Sequence, residues 1–436
     1  MTDQLDPAAP MPQRAAAASA PSLPSPQAGA PSPAGPPPAL TPGTLAGRWR
    51  QAIAEAGARL LVRWHQAPPA VQALLVMAGC MLLTGALLDR ASRFTVLDAA
   101  GRTSDWSYLQ FVARWDSAWY RKIAQGGYPD TLPLDPLTGE VQQNTWAFYP
   151  IFPMAARALF GLGLTWPLAG WLVSVTCALV AAIVLRSLVD RLAGPSVAMW
   201  SVALLGSFPS APALQLPYSD ALGLLVLVSV LWCLQRQAYE AAVLALLVAG
   251  LARPIAVPLA VVAAVHAVRR LRARPGTAAA LLTAAGVAAA SWPVIAAVAT
   301  GSPTAYTDTM AAWRQGRGVV PIDPWLDASA RYLGVVVGRV ALVVVPVLVL
   351  WWLTRPVARR LGADLRVWCV AYGAYLIAVI DPTTSLARYL LLTFPLGILA
   401  LLASPSLAYR RLLVVSGFLL QIVWIVTIWR VGGFPP

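Results

Sequence analysis

The sequence predicts an all-α polytopic membrane protein, with about 11 transmembrane helices and a long first extracytoplasmic loop that contains interfacial helices. Three observations predict it. Hydrophobic residues make up 58% of the 436-residue chain and charged residues 11%, where a soluble domain carries about a quarter charged; mean hydropathy is +0.66. Several apolar runs reach the ~20 residues that cross a bilayer as a helix. An open sheet facing lipid would leave backbone N–H and C=O groups unpaired, which leaves helices as the spanning elements.

The net charge of +14 does not point to a nucleic-acid partner. The Arg residues stand in short clusters between apolar runs, the pattern by which membrane proteins set their orientation. Cys80, Cys177, Cys233 and Cys369 all lie inside apolar runs and read as small buried hydrophobes, not as a disulfide framework. His65 and His266 are far apart and outside any ligand spacing, so neither a metal nor another cofactor is expected.

Residues 1–44 are rich in Pro, Ala, Ser and Gly and nearly free of large apolar side chains. Such a segment buries too little surface to offset its ordering entropy and predicts a disordered cytoplasmic tail. Residues 45–68 follow a helical period with Arg48, Arg50, Arg59 and Arg63 on the polar side, a cytoplasmic surface helix suited to anionic lipid. The membrane domain is 69–436, with outer loops at 90–165 and 300–331. Its first crossing is 70–89. Further crossings fall near 166–187, 195–213, 218–235, 238–252, 255–269, 277–299, 332–354, 366–381, 386–403 and 411–430. The stretch 147–163 is assigned to the outer interface. A crossing there would put the Arg269–Arg274, Arg355–Arg366 and Arg410/Arg411 clusters outside, against the positive-inside bias. The N-terminus is then cytoplasmic and the C-terminus outside.

The most informative stretch is Arg114 to Tyr128, RWDSAWYRKIAQGGY. As a helix it puts Asp116, Trp119, Tyr120 and Ile123 on one side, and Gly126-Gly127 supplies a stop. Trp115 and Trp119 suit a membrane–water interface. Asp116 is then either a solvated acid on an interfacial helix or a base. Asp105 reads as a cap or second base, Asp381 as the start of a turn, and Asn144 as a loop residue before a helix. Arg253 sits in Ala252-Arg253-Pro254, the tip between two short helices, where a wet cavity is its cheapest surrounding. The topology gathers Asp116, Tyr120, Tyr128, Tyr149, Tyr218, Asp220, Arg253, Asp381, Arg388 and Tyr389 on the outer face, and the loop 300–331 with Trp313 and Arg314 is placed to cover them. Carboxylates there can take a proton from a hydroxyl, and arginines can hold an anion. No P-loop or G-x-S-x-G element occurs.

RWDSAWYRKIAQGGY followed by AFYPIFPM resembles the signature of the phosphatidylinositol-glycan class V mannosyltransferases and their bacterial relatives, in the glycosyltransferase C superfamily. LPYSDALGLL at 216–225, AGLARPIAVPLA at 249–260 and SLARYLLLTFPL at 385–396 follow in family order, so the resemblance runs from about residue 90 to the C-terminus. Asp220 departs from it, since many relatives carry Glu there. The resemblance implies a glycosyltransferase C-like fold and an inverting enzyme that moves mannose from a polyprenyl-phosphate donor to a lipid or glycolipid acceptor on the outer face. It implies Asp116 as the base, Arg253 or Arg388 as the holder of the departing phosphate, and Tyr120, Tyr149, Tyr218 and Asp220 around the sugar. Superfamily members with monophosphate lipid donors generally need no dedicated metal.

Two alternatives stay open: a related lipid-donor transferase with another sugar or a protein acceptor, and a transporter of lipid-linked sugar. Transport favours inverted repeats, and the long loop after the first crossing has no counterpart in the chain. The topology is testable by cysteine labelling in intact cells. Cysteines introduced at 140 and 315 should react with an impermeant reagent, and one at 272 should not; reaction at 272 would overturn the map.

Overall fold

The computed structural model describes residues 45–93, 96–97, 103–104 and 106–431. The tail 1–44 and Asp105 lie outside the described residues. The chain divides into two units, 1–65 and 66–436. The first contributes α1 (Leu45–Gln66), a helix over the predicted amphipathic stretch, in which Glu55 accepts from Gln51 at 3.1 Å.

The second unit opens with α2 (Pro69–Arg93). The segment that follows, up to residue 165, combines short helices with two brief β contacts among the described residues. A two-residue strand Val96–Leu97 pairs antiparallel with Thr103–Ser104, and a single bridge joins Leu134 to Val141. Three short helices lie along it: α3 (Tyr108–Val112), α4 (Asp116–Gly126) and α5 (Ile151–Gly161). α4 stops as the glycines predict, with Gly127 at φ 75° and its N–H bonded to the Ile123 carbonyl. At 1.5 Å per residue the 11 residues of α5 reach about 16 Å, roughly half of a bilayer core.

Next come α6 (Trp166–Ala193), α7 (Pro195–Gly206), α8 (Asp220–Arg236), α9 (Tyr239–Ala252), α10 (Ala256–Arg270) and α11 (Pro275–Thr300). α12 (Ala305–Trp313) and α13 (Asp323–Leu333) follow, before α14 (Val335–Thr354) and α15 (Gly362–Val379). The chain ends with α16 (Leu386–Leu390), α17 (Phe394–Ala403) and α18 (Leu407–Ile425). Every predicted crossing meets helix, but with different ends. The segment 195–213 is helical only to Gly206. Pro209 and Pro212, which lack an N–H and clash with the preceding turn, leave a 3-10 turn at Ala211–Gln215 instead. The segment 386–403 is broken ahead of Pro395 into α16, a 3-10 turn and α17.

Among the described residues, seven helical segments are long and apolar enough to cross a membrane: Pro69–Arg93, Trp166–Ala193, Pro275–Thr300, Val335–Thr354, Pro356–Val379, Leu386–Ala403 and Leu407–Ile428. These make the molecule an α-helical protein of membrane character. α8 is apolar on all faces and correspondingly buried on all of them. α6 and α9 pack along it, α2 and α7 pack on α6, α11 packs on α9 and α10, and α15 lies on α10. α14 is the opposite case. Only Gly338 and Leu353 are buried there, so its Val and Leu side chains face outward where lipid would be.

α9 and α11 approach at Gly250, where a Cβ would come within 2.5 Å of the Ala288 carbonyl oxygen and Ser291 Oγ. Backbones this close need glycine, as in membrane helix pairs generally. Gly250→Val should destabilise the detergent-solubilised protein by about 1–3 kcal/mol, read as a lower unfolding midpoint.

Candidate functional site

The residues brought together from most of the chain's length surround a cavity of about 460 Å³. Its lining includes Asp116 and Tyr120 from α4, Phe148 and Tyr149 before α5, and Ser219 and Asp220 at the start of α8. Arg253 from the α9–α10 corner, Tyr306 from α12 and Arg314 just after it, Tyr375 from α15, and Arg388 and Tyr389 from α16 complete it. A volume of this size is ordinary for a small-molecule site.

Both carboxylates sit on the first residue of a helix, Asp116 on α4 and Asp220 on α8, where the partial positive charge of the helix N-terminus favours an anion. Residues 272 apart in sequence meet there: Arg388 Nη1 and Nη2 both donate to Asp116 Oδ2, each at 3.0 Å. Arg253 Nη1 donates to Asp220 Oδ1 at 2.5 Å, and Arg388 Nε lies 3.9 Å from that same oxygen. The result is an alternating row, Asp116, Arg388, Asp220, Arg253. The two acids are not equivalent, since the Asp116 side chain is 23% exposed and that of Asp220 2%. Asp116 is the carboxylate a ligand can reach; Asp220 is enclosed among cations. A Cβ on Gly223, one turn along α8 from Asp220, would meet Arg253 Cδ at 2.9 Å, so the glycine makes room for that side chain.

The chain enters α4 under strain. Trp115 has φ 53° and ψ −114°, a region a bulky residue occupies only at a cost of about 1–3 kcal/mol. Its surroundings hold it there. The Arg114 guanidinium lies 4.4 Å from the Trp115 ring centroid, and Tyr218 Oη donates to the Arg114 carbonyl at 2.9 Å. These contacts set where Asp116 begins its helix.

The aromatics are used differently from an interfacial belt. Trp119 stacks on Phe148, with centroids 6.0 Å apart, and meets the edge of Trp313 at 5.1 Å, so it joins α4 to α12. Tyr120 Oη is 2.7 Å from Ser219 Oγ, and burial pushes its phenol well above the usual range. Tyr128 lies outside the lining. It donates to the Phe148 carbonyl at 2.9 Å and packs on Trp146 and Trp292. Tyr149 Oη reaches Tyr306 Oη at 3.3 Å. Asn144 caps the turn at Thr145–Ala147 through the Trp146 N–H and donates to Thr309 Oγ1 at 3.0 Å. It is therefore a clasp as well as a residue before a helix.

Several expectations need correction. Tyr218 does not line the cavity: it stands behind it, under the Arg388 guanidinium at 4.9 Å from the ring centroid, because its hydroxyl is spent on Arg114. Asp381 is outside, paired with Arg317 at 3.2 Å. Of Arg253 and Arg388, either of which the resemblance makes the holder of a phosphate, Arg388 pairs with Asp116 and Arg253 with Asp220. Arg314, Tyr306, Ser219 and Tyr375 were missed as site residues. Position in the covering loop pointed to Arg314 and the stretch LPYSDALGLL contains Ser219, while no local pattern marks Tyr306 or Tyr375. Among the described residues no group of His, Cys, Asp and Glu has metal-binding geometry.

The pair Asp220–Arg253 is almost fully buried, so removing one charge strands the other. Arg253→Met should cost about 3–5 kcal/mol of stability, measured by denaturation in detergent, and the double change Asp220→Asn with Arg253→Met should cost less than the single one. Compared with protein-family models and with curated proteins, the chain matches none.

Proposed function

We propose that the chain is an integral membrane glycosyltransferase of glycosyltransferase C-like fold. It moves a hexose, mannose by the resemblance, from a polyprenyl-phosphate carrier to a hydroxyl of a lipid or glycolipid acceptor. In this reading the chain crosses the membrane eleven times, with the N-terminus cytoplasmic and the cavity at the outer face. The short helices α8, α9 and α10 then complete crossings whose outer ends border the cavity. The observation that carries the reading is the meeting of Asp116 with Arg388 beside Asp220 and Arg253, since the motifs of the resemblance hold all four.

Inverting transfer needs a base for the acceptor hydroxyl and positive charge near the departing phosphate. Asp116 supplies the base. Both bonds from Arg388 fall on Oδ2, and Oδ1 is the oxygen for the acceptor. The acceptor oxygen attacks the anomeric carbon as the bond from that carbon to the phosphate oxygen breaks, with the electron pair leaving on the phosphate. The proton goes to Asp116. A neutral Asp116 no longer balances Arg388, whose charge becomes available as the phosphate gains its own. One ion pair thus couples deprotonation to leaving-group stabilisation. Tyr120, Phe148 and Tyr149 supply an aromatic wall for the sugar.

Membranes containing the protein and labelled polyprenyl-phosphate mannose should yield a labelled glycolipid, and Asp116→Asn should lower the rate by about 10²–10⁴-fold. Full activity in that variant would overturn the assignment of the base. No product with any labelled polyprenyl-phosphate sugar would overturn the function.

A further inference from the structure

The charges around the cavity do not cancel. Its lining carries two carboxylates, Asp116 and Asp220, and three guanidinium groups, Arg253, Arg388 and Arg314. Arg253 is matched by Asp220 and Arg388 by Asp116. Arg314 remains, and among the described residues no carboxylate lies within 4 Å of it. A cavity with one surplus positive charge, walled by aromatic and aliphatic side chains, is complementary to a monoanion.

Arg314 is also held toward that space. It follows the last residue of α12, where a cation commonly satisfies the helix's own carbonyl end. Instead, its Nη2 donates across to the Val379 carbonyl at 3.1 Å, one of the carbonyls at the end of α15 that lack a partner within the helix. One donor is occupied and a guanidinium has five. The next two residues, Gln315 at φ 59° and Gly316 at φ 80°, turn the chain, and Gly318 and Val319 border the same cavity. Arg317, three residues on, spends its charge on Asp381 outside the lining.

We infer that Arg314 is the anchoring cation for a phosphate ester carried on an isoprenoid lipid. The inference rests on the transferase reading and alters it in one respect: the phosphate is held first by Arg314, and Arg388 joins only when Asp116 has taken a proton. A phosphodiester donor brings one negative charge and meets one surplus positive charge. The monoester left after transfer carries more charge, and Arg388 is then there to match it.

The test is direct binding to the full chain in detergent, with farnesyl phosphate as the probe and farnesol as its neutral counterpart. Farnesyl phosphate should bind at least about tenfold more tightly than farnesol, the size expected for a hydrogen bond to a charged group. Arg314→Gln should remove that preference while farnesol binding stays unchanged, and Arg314→Lys should restore most of it. Arg317→Gln removes the same charge from the same loop and should leave the preference intact, which separates the site from a general loss of charge. Equal binding of the two probes by the native chain, or an undiminished preference in Arg314→Gln, overturns the inference. Phosphate-selective binding through Arg314 in a protein that transfers no sugar would leave the anion site standing and reject the transferase. Sugar transfer with Arg314→Gln binding unchanged would do the reverse.

Discussion

Everything around the cavity depends on one constraint: charges placed among apolar helices must be neutralised by each other. Removing a carboxylate or guanidinium from water costs several kcal/mol per ion after relaxation, and a cost that large shapes the fold around it. Asp220 is nearly inaccessible because Arg253 and Arg388 approach it from two directions. Arg253 needs the α9–α10 corner and the absence of a side chain at Gly223. Arg388 needs the break between α16 and α17 that lets it turn inward. The row of alternating charges is therefore a scaffold before it is a site, and its accessible end, Asp116, is where chemistry can occur.

A second set of contacts, among aromatic side chains, joins α4 and residues 146–149 to α11 and α12. Trp119, Phe148 and Trp313 form one contact set, and Trp146, Tyr149 and Trp292 another. Two of the indole N–H groups are bonded, Trp146 to the Pro129 carbonyl and Trp292 to the Trp146 carbonyl, both at 3.0 Å. Trp119, which sequence reasoning suits to a membrane–water interface, packs here on Phe148 and Trp313. The tryptophan composition is the same in both cases; which surface the rings meet differs.

The helices were legible because their signal is local. A long apolar run needs no partner to be recognised, and α2, α6 and α11 fall where the runs are. The stop at Gly126-Gly127 was legible for the same reason. The ends of α7 and the interruption before α17 were harder to read: proline was visible in both, but a continuous run of hydropathy hides a backbone break. The pairing Val96–Leu97 with Thr103–Ser104 had no signal at all, being two residues long on each side.

By itself the sequence determined the membrane character, the succession of helices and the set of residues able to do chemistry: Asp116, Asp220, Arg253 and Arg388 are each recognisable as charges beside apolar runs. Tertiary structure alone decided which charge answers which. Asp116 met Arg388 and Asp220 met Arg253, which left Arg314 as the unmatched cation, while Tyr218 moved behind the cavity and Asp381 outside it. The reason is physical. Burial of a run is encoded by its own side chains, whereas an ion pair between residues 272 apart is encoded by how all the intervening helices pack.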